Sequence, residues 1–138
     1  MNRVMCALAA LLVASLLVAA PVPKALKKAR DEDRIIGVWV EADTPSSLWF
    51  FNADGTCGVG EPTAPALNAV YRMDSTQTPP HLDWSQNDGK TWYLDVYELD
   101  GDTLKMSSGP GGSGVRPPTV DPKNGFHWLH LVRREAKK

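Results

Sequence analysis

Between residues 35 and 133 the chain is a succession of short alternating runs separated by turn residues, with no segment of helical spacing. Alternation sends successive side chains to opposite faces of a strand, so such runs become stable only when one face of a sheet is buried. The best-defined unit is the aromatic and β-branched run Trp92-Tyr93-Leu94-Asp95-Val96-Tyr97-Glu98, which leads into Leu99-Asp100-Gly101-Asp102-Thr103-Leu104-Lys105. There Asp100-Gly101 offers the positive φ of a tight hairpin, and alternation resumes after Asp102. Asp54-Gly55 and Asn87-Asp88-Gly89 are signals of the same kind. The pattern predicts strands over 35–42, 47–52, 56–60, 68–73, 81–85, 91–99, 103–107 and 126–133. Sequential hairpins make a meander, and a meander of this length leaves no exposed edge if it closes on itself. The expected fold is therefore all-β, a single antiparallel up-and-down β-barrel of about eight strands. Two connections are longer. Residues 60–67 contain Pro62 and Pro65 and are expected to form an irregular connection or a strand edge. Residues 107–123, rich in Gly and Pro, form a loop of the length that is usually functional or mobile.

Ahead of the barrel, Met1-Asn2-Arg3 is a minimal positive start, residues 6–20 are apolar apart from Ser15, and Val18-Ala19-Ala20 offers small residues for cleavage. This is the pattern of a secretory signal peptide, and the run is shorter than the roughly 20 residues that span a bilayer. The expected organisation is a signal peptide at 1–20, a basic linker or stem at 21–34, the barrel domain at 35–134 and a tail at 135–138. The location expected is periplasmic or extracellular, with a membrane-anchored form if Pro21 blocks cleavage. Removal of the leader takes away Cys6, leaves Cys57 alone and rules out an intramolecular disulfide. Cys57, in Thr56-Cys57-Gly58-Val59, reads as a small buried apolar residue.

Charge restricts the partners. Residues 35–134 carry seven basic against twelve acidic side chains, a net charge of −5, which excludes nucleic acid as a partner of the folded domain. The basic residues Lys24, Lys27, Lys28 and Arg30 crowd the stem, where they read as a solvated linker; the membrane is reached only through an uncleaved leader.

Gly37-Val38-Trp39 in the first strand and Arg133 in the last resemble the pairing found in lipocalin and calycin barrels, whose tryptophan plugs the closed end beneath the arginine. More specifically, residues 35–134 are similar to an uncharacterised family of small secreted lipocalin-like (calycin-type) domains of planctomycete bacteria. The likeness rests on Gly37-x-Trp39, Pro80-His81-Leu82-Asp83, Tyr97-Glu98-Leu99-Asp100-Gly101-Asp102-Thr103-Leu104, Arg116-Pro117 and Leu131-Val132-Arg133-Arg134. The chain departs from that pattern in having Val120 near a usual phenylalanine and Met106 at a position often held by cysteine. The resemblance implies a barrel and an exported location, with Gly37, Trp39, Asp100, Gly101, Asp102 and Arg133 as structural residues. It implies no reaction.

The chemical motifs are weak. Gly109-Pro110-Gly111-Gly112-Ser113-Gly114 matches G-x-G-x-x-G formally, but Val115-Arg116-Pro117-Pro118 follows where a helix is needed, so no dinucleotide or other cofactor is expected. His127 and His130 lie three apart and point to opposite faces of a strand, which excludes a shared metal ion. His81 and Asp83 can share a face and read as a hydrogen-bonded pair. Asp83, Asp95, Glu98, Asp100 and Asp102 could supply an acid and a base, although turn chemistry accounts for Asp100 and Asp102. There is no nucleophile elbow, Ser107-Ser108 has no sequence-visible base, and no catalytic residue is assigned.

An eight-stranded barrel is just wide enough to be filled by its side chains or to hold one small ligand. The expected role is non-catalytic binding of a small apolar or amphipathic ligand, with Tyr71, Trp84 and Tyr97 lining the cavity and Arg116 offering a cation to a headgroup. The alternative is a protein-protein interaction module working through the 107–123 loop and the barrel rim; hydrolysis is third.

Overall fold

The computed structural model describes residues 29–86 and 89–135. The expected signal peptide and the first part of the stem lie outside the described residues. Eight strands form a closed barrel in sequence order: β1 (Gly37–Glu41), β2 (Thr44–Phe51), β3 (Thr56–Glu61), β4 (Ala64–Asp74), β5 (His81–Ser85), β6 (Tyr93–Asp100), β7 (Thr103–Ser108) and β8 (His127–Arg133). Every neighbouring pair is antiparallel, and β8 closes on β1 through Trp39 opposite Arg133 and Glu41 opposite Leu131. This is the up-and-down barrel that the alternation implies.

Register determines which residues fill it. Trp39 faces Trp49, Phe51 faces Cys57, Cys57 faces Ala69, and on the far wall Tyr97 faces Met106 and Met106 faces Leu129. These inward side chains, with Leu82, Leu104 and Leu131, form one buried cluster. Cys57 belongs to it, and burial, with nearby Asp95 adding to the effect, pushes its thiol up to about 12. A thiol held protonated in this way is an apolar filler and a poor nucleophile.

Glycine and proline mark the departures from a regular ladder. The two residues between β6 and β7 are Gly101 and Asp102, with Gly101 at φ +55° as the tight turn requires. Residues 60–67, expected to be an irregular connection or a strand edge, are instead mostly paired within the closed ladder: Gly60 sits opposite Pro65 and Glu61 opposite Ala64, across a register shift between Val59 and Gly60. A bulge tolerates a proline that cannot donate to the ladder, which is how β4 starts as early as Ala64.

One end of the barrel is closed. A single helical turn, α1 (Asp31–Arg34), lies in the segment assigned to the stem, and Ile35 after it is fully buried. The Trp39 indole donates to the Ile35 carbonyl at 2.8 Å, and the Tyr97 hydroxyl donates to the Asp31 carboxylate at 3.0 Å. The Arg133 guanidinium lies 4.2 Å from the Trp39 ring centre. It also donates to the Ile36 carbonyl at 3.0 Å, to the Asp102 carboxylate at 3.1 Å and to the Arg34 carbonyl. One cation thus caps the tryptophan and satisfies carbonyls at the end of α1 and beyond, as well as the β6–β7 turn. Gly37 has φ +135°, and a Cβ there would stand 2.9 Å from the Arg133 guanidinium, so side chain and backbone both require glycine.

The connection between β7 and β8 covers the outside of the wall. Val96 and Ser107 oppose each other on the outward face yet are both fully buried, and Pro117 is buried as well. Asn124, which ends a short 3-10 turn, approaches the Ser107 hydroxyl at 3.5 Å and donates to the Thr119 carbonyl at 2.7 Å.

Candidate functional site

The opposite end carries a pocket of about 440 Å³ walled by Trp84, Tyr93, Ser108, Gly109, Pro110, Gly125, Phe126 and His127. Its floor follows from the ladder. Trp84 on β5 pairs with Tyr93 on β6, and Ser108 on β7 pairs with His127 on β8, so two neighbouring strand pairs present these side chains inward. The Trp84 and Tyr93 rings are stacked, with centres 4.1 Å apart and planes 5° from parallel. Trp49 meets Trp84 edge-on at 6.3 Å. Both are favourable aromatic geometries.

The glycine-rich run after β7 shapes the rim. Gly109 donates to the Leu94 carbonyl at 3.1 Å and Gly112 to the Trp92 carbonyl at 3.0 Å, so the run extends the ladder along β6. At Gly111 a Cβ would come within 2.6 Å of the Tyr93 ring. The run is glycine-rich because it lies on an aromatic wall, and Val115 to Pro118 after it is not helical. Nothing here forms the helix start that a dinucleotide phosphate needs.

Behind the wall sits a carboxylate. Asp95 is fully buried; its Oδ2 accepts a 2.6 Å hydrogen bond from Ser108 and a 3.2 Å bond from the Trp84 indole. Oδ1 has no partner among the described residues. Burial pushes this carboxyl up to about 7, against the opposing pull of the Ser108 and Trp84 hydrogen bonds. The Ser108 proton is thus directed at a carboxylate rather than at an imidazole, although His127 stands opposite on β8. Ser108, which lines the pocket, thus spends its proton on Asp95 and keeps its acceptor lone pairs.

The four residues expected at a ligand site, Tyr71, Trp84 and Tyr97 as lining and Arg116 as the cation, are placed in four different settings. Trp84 lines the mouth pocket. Tyr97 is fully buried at the closed end, with its hydroxyl on Asp31. Tyr71 donates to the Asn52 carbonyl at 2.9 Å, packs edge-on against Phe51 at 5.2 Å, and lines a separate polar hollow with Arg30, Glu32 and Arg72. Arg116 grips the outward-facing Asp83 through two hydrogen bonds, of 2.6 Å and 3.1 Å, and donates to the Asp95 backbone carbonyl. Arg72 pairs with the same carboxylate at 3.1 Å. Replacing Arg116 by alanine is expected to cost about 2–3 kcal/mol, because Asp83 is nearly buried and keeps only a half-exposed partner. Chemical denaturation of the two proteins measures this; equal stability would show that the latch carries no load.

Tyr93, Ser108, Phe126 and His127 are pocket residues that the sequence did not assign to the cavity, although Ser108 and His127 were weighed there for other chemistry. Asp95 had a visible signal: it shares the inward parity of Tyr93 and Tyr97, and a carboxylate on the buried face of a strand is exceptional. The histidines divide as their spacing requires, with His127 opposite Ser108 at the pocket and His130 opposite Lys105 on the outer face. Among the described residues no group of three or more His, Cys, Asp or Glu side chains could hold a metal ion. Comparison of the chain with protein-family models, with curated proteins and with solved structures finds no match.

Proposed function

We propose that the protein is an exported, lipocalin-like binding module that takes a small apolar or amphipathic ligand into the open end of its barrel without chemically changing it. The observation that carries this reading is the mouth pocket: about 440 Å³, walled mainly by the rings of Trp84, Tyr93 and Phe126, at the end opposite the Trp39 plug. That size lies within the range of small-molecule sites, and aromatic walls with a few polar groups are their usual composition. The leader-like residues 1–20 support export.

The interaction-module alternative has less behind it. Arg116, Pro117 and Asn124 of the long connection are turned onto the barrel's own wall, and Val115 is its one exposed large hydrophobic side chain among the described residues.

The test is titration with N-phenyl-1-naphthylamine, a neutral apolar dye whose emission rises in a dry site. A saturable increase is expected, and Trp84→Ala and Phe126→Ala should each weaken binding about tenfold or more. Emission that rises without saturation, or is indifferent to both substitutions, would contradict a ligand site at the mouth.

A further inference from the structure

We infer that the mouth pocket selects a small amphipathic amine, its ammonium seated on the Ser108–Asp95 pair and its apolar body against the Trp84, Tyr93 and Phe126 rings. This rests on the proposed ligand-binding role and names the chemistry of the ligand.

The first ground is an uncompensated acid. Asp95 is fully buried, and the groups that hold its Oδ2, the Ser108 hydroxyl and the Trp84 indole, both belong to the pocket wall. Neither carries a positive charge. The Arg116 guanidinium is close enough to pull on the Asp95 carboxyl, but its hydrogen bonds go to the Asp83 carboxylate and the Asp95 backbone carbonyl, so among the described residues no cation bonds the Asp95 side chain. A buried carboxylate with a free oxygen is costly unless a donor reaches it.

The second ground is the lining. No lysine or arginine is among the described pocket residues, and the Trp84, Tyr93 and Phe126 rings stand in its wall, where an aromatic ring attracts a cation. An anionic headgroup would find no positive partner and a carboxylate behind the wall. A purely apolar molecule would leave Asp95 as it is. An ammonium group satisfies the acceptor lone pairs of Ser108 and the charge of Asp95 together, while its apolar body meets the aromatic wall.

The other groups facing Asp95 do not supply that charge. Cys57 from β3 is held protonated, Asp83 from β5 is itself an acid, Arg116 is engaged as described, and His127 stands beside Ser108 on the pocket side. Because burial pushes the Asp95 carboxyl up to about 7, an arriving ammonium near neutral pH draws the acid to its ionised form and expels a proton.

The experiment is calorimetric titration of the purified protein with 2-(1-naphthyl)ethylamine and with its neutral counterpart, 2-(1-naphthyl)ethanol, at about pH 7 in two buffers of different ionisation enthalpy. The amine is expected to bind about tenfold tighter or better and to release protons; the alcohol should release none. In Asp95→Asn the two probes should fall within about threefold of each other, and proton release should vanish. Ser108→Ala, which removes the hydroxyl and keeps the acid, should weaken the amine more than the alcohol, and it decides the matter if the Asp95 variant does not fold. Equal binding of the two probes, or an amine preference that survives Asp95→Asn, overturns the inference. Saturable N-phenyl-1-naphthylamine binding without any response to the amine overturns it while leaving the ligand-binding role intact; failure of all three probes removes both.

Discussion

Replacing Trp39 by alanine is expected to destabilise the protein by about 3–5 kcal/mol, the range for deleting a fully buried large aromatic side chain. Trp39 has no exposed surface, and it sits between Trp49 on β2 and Arg133 on β8. The substitution would open a cavity beneath the Arg133 guanidinium and remove the 2.8 Å bond to the Ile35 carbonyl that ties the end of α1 to the barrel. Trp39→Phe should recover most of the packing but not that bond, with a loss of about 1–2 kcal/mol. Urea unfolding measures both. An unchanged midpoint in Trp39→Ala would remove the tryptophan from its role as plug. The mouth pocket lies at the other end, so dye binding by Trp39→Phe should equal that of the parent protein.

Asp95→Asn should change how stability depends on pH. The folded carboxyl titrates at about 7, against an ordinary value of 3.8. The folded state therefore holds the proton more tightly than the unfolded chain does. The stabilisation this provides is complete below the unfolded value, declines as pH rises and is lost above about 7. The difference in proton affinity corresponds to at most about 4 kcal/mol between acid and mildly alkaline solution. Asparagine keeps an acceptor for Ser108 and Trp84 and does not titrate, so the variant should lack this slope. It should be no more stable than the parent at about pH 5 and more stable by roughly 1–3 kcal/mol at about pH 8, the amide's unpaired donors reducing the gain. Urea midpoints across the pH range give the difference, in which groups common to both proteins cancel. Parallel pH profiles would show that Asp95 is not the buried acid described.

The strands were legible because alternation is a direct image of a sheet with one buried face. Tyr93, Asp95, Tyr97 and Leu99 all lie on one side of β6, and Leu104, Met106 and Ser108 continue that side on β7. What local pattern could not convey was the effect of distant contacts on short segments. Asp31–Arg34 resembles the rest of a charged stem until Tyr97, 66 residues away, is seen to bond to Asp31. Pro62 is the turn residue it resembles, whereas Pro65 resembles a loop residue until its place opposite Gly60, next to the bulge, shows how a ladder accommodates it.

The site was less legible for a related reason. Its walls come from four separate stretches, Trp84, Tyr93, Ser108 to Pro110, and Gly125 to His127, joined only when β8 returns beside β7. Aromatic content alone does not distinguish Tyr93 from Tyr97, because the two share a parity and differ in depth along the barrel. Arg116 is a conspicuous cation in the sequence, and its contact with Asp83 depends on how the long connection folds back over the wall.

Native mass spectrometry of the protein purified from its own host tests the central claim most directly. A bound small molecule at one per chain, depleted in Trp84→Ala, is the expected result. A clean unliganded mass, together with tryptophan fluorescence indifferent to added amphiphiles, would contradict a ligand-binding barrel.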